Sequence, residues 1–80
     1  MYGADWCSDC RRSKALLDRL DVAYDYIDIE RVDGAADAAQ QAANGRMNIP
    51  VVVFPDGAVQ IEPTDPQLSG KLGELGLVSA

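Results

Sequence analysis

The stretch NIPVVVFPDGAVQIE, residues 48–62, constrains the fold of this chain more than any other. Within it PVVVF (50–54) is a continuous apolar run. A strand with one wet face alternates apolar and polar side chains, so an unbroken run marks a strand buried on both faces. PDG at 55–57 is a tight-turn signal, and AVQIE then returns as a partner strand. The segment therefore reads as a hairpin whose first strand lies inside a sheet. Both faces of that strand need covers, and a chain of 80 residues has to supply them within one domain, expected to span 1–80.

The flanking segments offer those covers. Residues 1–3 (MYG) read as a short strand, and a helix then opens at Cys7 or Ser8 and runs to about Leu20. Ala15, Leu16, Leu17 and Leu20 make its packed face at helical spacing. AYDYIDIE (23–30) alternates as a strand. DGAADAAQQAANG follows as a second helix, with Asp33 as N-cap, Gly45 as stop and an alanine face small enough to lie close on a sheet. Near the C-terminus Asp65 is expected to cap a third helix, with Pro66 at its first position and Leu68, Leu72 and Leu75 on its buried face. Gly70 and Gly73 weaken that helix by about 1 kcal/mol each. The order β-α-β-α-β-β-α predicts an α/β fold: a four-stranded mixed sheet with helices on both faces.

Composition narrows the function classes. Hydrophobic residues make up 48% of the chain, and the net charge is −6. An acidic chain is a poor generic partner for nucleic acid or anionic membrane, since both reward positive fields. No apolar run approaches the roughly 18 residues of a membrane span. The start MYGADW lacks the basic and apolar stretches of a signal peptide, so the expected location is the cytoplasm. Four cations, Arg11, Arg12, Lys14 and Arg19, bunch just after the cysteines. They read either as a solvated helix face or as a local positive patch for an anionic ligand.

Both cysteines of the chain lie in DWCSDC, residues 5–10, and there is no histidine. A structural staple is disfavoured, because a loop this short removes little unfolded-state entropy and the cytosol keeps thiols reduced. Zinc needs about four ligands, so two thiolates would have to bridge two chains. A reactive pair fits best. Cys7 falls at the first turn of a helix, where unpaired N–H groups and the positive dipole end stabilise an anion. The thiolate is the form that attacks disulfides. Cys10 lies one turn on, deep in the helix. Cys7 is therefore expected as the exposed attacker and Cys10 as the resolving thiol. Trp6 reads both as a partly buried aromatic and as a flat wall beside Cys7. Asp5 and Asp9 flank the reactive sulfur, and their charge opposes a second anion there.

WCSDC after a short strand, NIPVVVF near the middle, and PDG and EPTDP before a terminal helix resemble the glutaredoxin branch of the thioredoxin fold. The resemblance spans essentially the whole chain and is strongest to the mycoredoxins and mycoredoxin-like glutaredoxins of actinobacteria. It implies that Pro50 follows a cis peptide bond and that the backbone of Ile49 pairs with a bound thiol peptide. It makes Arg46 and Arg11 candidates to hold the acidic groups of a small thiol, with Thr64 and Asp65 anchoring its far end. Three features depart from the familiar pattern. Ser8 and Asp9 replace a proline or glycine followed by tyrosine, a lysine before the first cysteine is missing, and so is the Gly-Gly pair before the last helix.

The expected activity is thiol–disulfide oxidoreduction on protein disulfides or low-molecular-weight mixed disulfides. No tightly bound cofactor is required, and mycothiol or glutathione is the expected co-substrate, acting on a monomer. One rival is a redoxin that feeds ribonucleotide reductase and is recharged by thioredoxin reductase. Its C-terminal Trp-Ser-Gly-Phe type segment is not found in LGELGLVSA. Another is a dimeric glutaredoxin that binds an iron–sulfur cluster or metal through Cys7 and a small thiol. A third is an inert thioredoxin-like interaction module.

Overall fold

The structure is a computed structural model and describes residues 1–78, so the last two residues of the LGELGLVSA tail lie outside it. Seven elements follow in the expected order: β1 (Tyr2–Gly3), α1 (Ser8–Arg19), β2 (Ile27–Asp28), α2 (Ala35–Ala42), β3 (Val51–Val53), β4 (Val59–Ile61) and α3 (Asp65–Glu74). The strands form one mixed sheet in the order β2-β1-β3-β4. β1 runs parallel to β2, with Tyr2 opposite Ile27, and antiparallel to β3, with Tyr2 opposite Val51. β3 and β4 pair antiparallel as the hairpin, with Val52 opposite Gln60.

The apolar run of β3 is explained by what covers each face. Val51 packs with Ala39 and Ala43 beneath α2. Val52 joins Leu16 and Leu17 of α1 and Leu68 and Leu72 of α3 on the opposite face. Burying one such side chain is worth roughly 1.5–3 kcal/mol, which is why this short strand can organise the sheet. Alanine lets α2 approach closely, as its composition predicts. Val53, the last residue of β3, is exposed, while Phe54 after it returns to the core.

Local chemistry sets the element ends. In the turn, Gly57 adopts φ 88° and donates to the Phe54 carbonyl, while Asp56 Oδ1 accepts the Ala58 N–H. Lys71 pairs with Asp56 at 2.8 Å and ties this turn to α3. Pairing with Lys71 lowers the Asp56 pKa and raises that of Lys71.

Several boundaries differ from expectation. α3 is capped by Thr64 rather than Asp65: Thr64 Oγ1 accepts the Gln67 N–H, and the Gln67 side chain accepts the Thr64 N–H. Pro66 then takes the second helical position. α2 is entered through Gly34 in the left-handed region, without the Asp33 cap, and it ends at Ala42, ahead of Gly45. On α1 Ala15 is exposed, and the buried face runs instead through Cys10, Ser13, Leu16 and Leu17. AYDYIDIE shrinks to a two-residue strand because its partner β1 is itself two residues long.

Candidate active site

Three separated segments meet at Cys7. The first is the β1–α1 turn, where the Cys7 N–H donates to Ala4 O and Cys7 becomes the N-cap residue of α1. Its sulfur, not an oxygen, accepts the Cys10 backbone N–H at 3.2 Å. The second is the segment before β3, where the Ile49–Pro50 bond is cis and Cys7 Sγ lies 3.9 Å from the Ile49 carbonyl oxygen. The third is Glu62, just past β4, whose N–H donates to Pro50 O. Together with Trp6, Ser8, Asp9, Met47 and Asn48 they line an open groove of about 370 Å³. A second cavity, about 400 Å³, lies among Tyr24, Phe54 and Leu72 and touches neither cysteine.

Both thiols are free. Cys7 is only 8% exposed, against the expectation of an exposed attacker, because its sulfur is drawn under the Ile49 carbonyl and over the α1 N-terminus. Cys10 is 1% exposed. Burial pushes the Cys10 thiol up to about 12, helped by its hydrogen bond to Cys7 and by the charges of Cys7 and Asp9. Cys10 therefore keeps its proton at neutral pH and has no accessible face.

The other sequence-derived site residues fall into two groups. Trp6, Ile49 and Pro50 stand beside Cys7. Trp6 is 66% exposed, and its indole N–H donates to Glu30. Arg46 lines an adjoining groove with Met47, Asn48 and Ile49. Arg11, Thr64 and Asp65 are committed elsewhere. Arg11 donates to the Asp5 carbonyl oxygen at 2.8 Å, Thr64 serves the α3 cap, and Asp65 pairs with Arg12 at 3.6 Å. Three of the four cations bunched after the cysteines have partners. Arg12 is shared among Asp9, Asp65 and the Pro63 carbonyl oxygen, and Lys14 lies 4.5 Å over the Tyr26 ring.

The glutaredoxin family profile matches residues 1–59, a span that includes both cysteines and the cis-proline. The chain belongs to the glutaredoxin family. Two proteins of Mycobacterium tuberculosis, from strains CDC 1551 / Oshkosh and H37Rv and both named provisionally as glutaredoxins, are each 33% identical to it over 72 residues. That is 90% of this chain and 86% of each relative. The sheet and three helices are those of an α/β thioredoxin-like glutaredoxin, and membership brings thiol–disulfide oxidoreductase activity in general.

In this glutaredoxin several neighbours of the thiols carry no local sequence signal. A Cβ on Gly3 would stand 3.0 Å from Cys10 Sγ and 3.2 Å from the Tyr26 ring, so the backbone of β1 forms one wall against Cys10. Burial raises the Tyr26 pKa, with the cysteines and Asp5 adding to it. Glu62 holds φ 50°, a left-handed conformation that non-glycine residues adopt at some cost. Its carboxylate accepts from Asn48 Nδ2 at 3.3 Å across the groove. Among the described residues no helix is long and apolar enough to cross a membrane, and no three His, Cys, Asp or Glu side chains cluster to hold a metal.

Proposed function

We propose that the chain reduces protein disulfides and mixed disulfides through Cys7 and Cys10, with a low-molecular-weight thiol of the mycothiol or glutathione type as co-substrate. The observation that carries this reading is the Cys7 sulfur at the N-cap of α1, accepting the Cys10 N–H. An anion at that position is stabilised by the hydrogen bond and the helix dipole together. Cys7 thiolate attacks one sulfur of the substrate disulfide, the S–S bond breaks, and one substrate thiolate leaves and takes up a proton. Cys10 then loses its proton and attacks Cys7 Sγ, releasing the second substrate thiol and leaving a Cys7–Cys10 disulfide. Two electrons pass from the dithiol to the substrate. Two molecules of the small thiol restore the dithiol and become oxidised in its place. The same thiol can instead resolve the covalent intermediate at Cys7 directly.

Ile49, Pro50 and Trp6 are the proposed walls for the bound thiol, and Arg46, which lines the adjoining groove, is the proposed cation for its acidic groups. Arg11, Thr64 and Asp65 reach a ligand only if their present bonds are exchanged. The test is disulfide turnover with mycothiol, glutathione and thioredoxin reductase as alternative reductants. Cys7→Ser is expected to abolish turnover, and Cys10→Ser to retain reduction of small mixed disulfides while losing most activity on protein disulfides. Activity surviving in Cys7→Ser would sink the assignment, and faster recharging by thioredoxin reductase would move it to the ribonucleotide reductase-linked redoxins.

A further inference from the structure

Resting on the oxidoreductase reading above, we infer that the groove beside Cys7 selects disulfides in polypeptides that carry a lysine or arginine next to the cysteine, and disfavours anionic disulfides. The charged residues lining it are Glu62 and Asp9, the latter paired with Arg12 at 3.3 Å, and neither lysine nor arginine contributes to its lining. Glu62 is held at the rim by Asn48 Nδ2 and by the bond from its own N–H to Pro50 O. Three cations on this side of the molecule are engaged. Arg12 lies between Asp9 and Asp65, Arg31 pairs with Asp5 at 2.9 Å, and Arg11 donates to the Asp5 carbonyl. Arg46 lines the adjoining groove together with Met47 and Ile49.

Trp6 adds a second, independent element. Its ring is 66% exposed beside the sulfur, and its N–H is fixed on Glu30. A tryptophan face is the best aromatic platform for an ammonium or guanidinium group, and a carboxylate on its indole N–H increases the negative potential there. Met47, 83% exposed in the same lining, offers an apolar surface to the methylene stem of such a side chain. The chain as a whole adds a net charge of −6 to the attraction. Charges arranged this way act mainly on encounter and register, so the preference belongs in the second-order rate of attack by Cys7. Chemistry and balance are those given above: the polypeptide disulfide is reduced by two electrons, and the small thiol supplies them.

The experiment compares three disulfides of one short peptide whose cysteine is flanked by lysine, glutamine or glutamate, with glutathione disulfide as a small anionic arm. At low salt the lysine-flanked peptide is expected to react about tenfold faster than the glutamate-flanked one. The ratio should fall toward one at about 0.5 M salt, and in the double variant Asp9→Asn/Glu62→Gln at low salt. Trp6→Leu should lower the lysine preference without reversing it. A ratio at or below one, or a ratio unchanged in the double variant, overturns the inference while leaving the oxidoreductase reading intact. Reduction of none of the four disulfides overturns both.

Discussion

At Cys7 a thiol sulfur does a structural job. N-caps are usually oxygens of serine, threonine, aspartate or asparagine, and here a sulfur takes the place. Its partner is positioned by a residue with no side chain. Gly3 faces Cys10 so closely that a methyl group there would meet the sulfur at 3.0 Å. Gly3→Ala should therefore destabilise the fold by about 1–3 kcal/mol, the range for overpacked interiors. It should also slow closure of the Cys7–Cys10 disulfide, because Cys10 has to move away. Urea unfolding and single-turnover kinetics read the two effects separately, and unchanged values in both would contradict the close approach. Cys7 and Cys10 stand out in the sequence because their spacing and their place between strand and helix are local. Gly3 and Glu62 do not, since their importance comes from contacts made after the sheet has assembled.

Among the elements, α3 shows most clearly what single residues contribute. The reciprocal Thr64–Gln67 bonds satisfy two N–H groups at its start. Thr64→Ala is expected to cost about 1 kcal/mol and Thr64→Ser much less, as read from urea midpoints. In the body of the helix Gly70 faces open space, with no atom within 4 Å of where a Cβ would stand. Gly70→Ala should stabilise by about 0.5–1 kcal/mol, and a loss of stability would show that the glycine meets a constraint the fold does not reveal. Element order and the burial of Val51 and Val52 on opposite faces of β3 were legible from periodicity and turn residues, whereas the exposure of Val53 was not. Nor were element ends. Asp33 lost its capping role to Gly34, and Asp65 lost its own to Thr64, because capping depends on which side chain meets the first turn and not on residue type alone. The eight residues of AYDYIDIE alternate well, yet a strand extends only as far as its neighbour pairs with it.

For the whole molecule, the raised Cys10 thiol and Tyr24 phenol make stability fall at alkaline pH. The folded state raises Cys10 from 9.0 to about 12, with burial the main cause, and Tyr24 from 10.0 to about 12, through burial and its bond to Asp18. Well below pH 9 both groups are protonated in either state and add no pH dependence. Between pH 9 and 12 the unfolded chain loses protons that the folded chain keeps, so stability falls as pH rises. Urea midpoints at pH 7, 9.5 and 10.5 should decline in that order, and Cys10→Ala should flatten the decline. A midpoint independent of pH across this window would contradict the burial of both groups.

The sulfur cap of α1 also links folding to electron affinity. Folding and oxidation form a closed thermodynamic cycle. Any stability the dithiol form has beyond the disulfide form must therefore reappear as a difference in reduction potential between folded and unfolded chains. Once Cys7 is bonded to another sulfur it is a weaker acceptor for the Cys10 N–H, so the cap favours the reduced protein. Each 1.4 kcal/mol of that advantage corresponds to about 30 mV for a two-electron couple, in the direction of a stronger oxidant. A pair of denaturant curves, one for each redox form, thus measures how far the fold shifts the potential of Cys7 and Cys10 without an electrode.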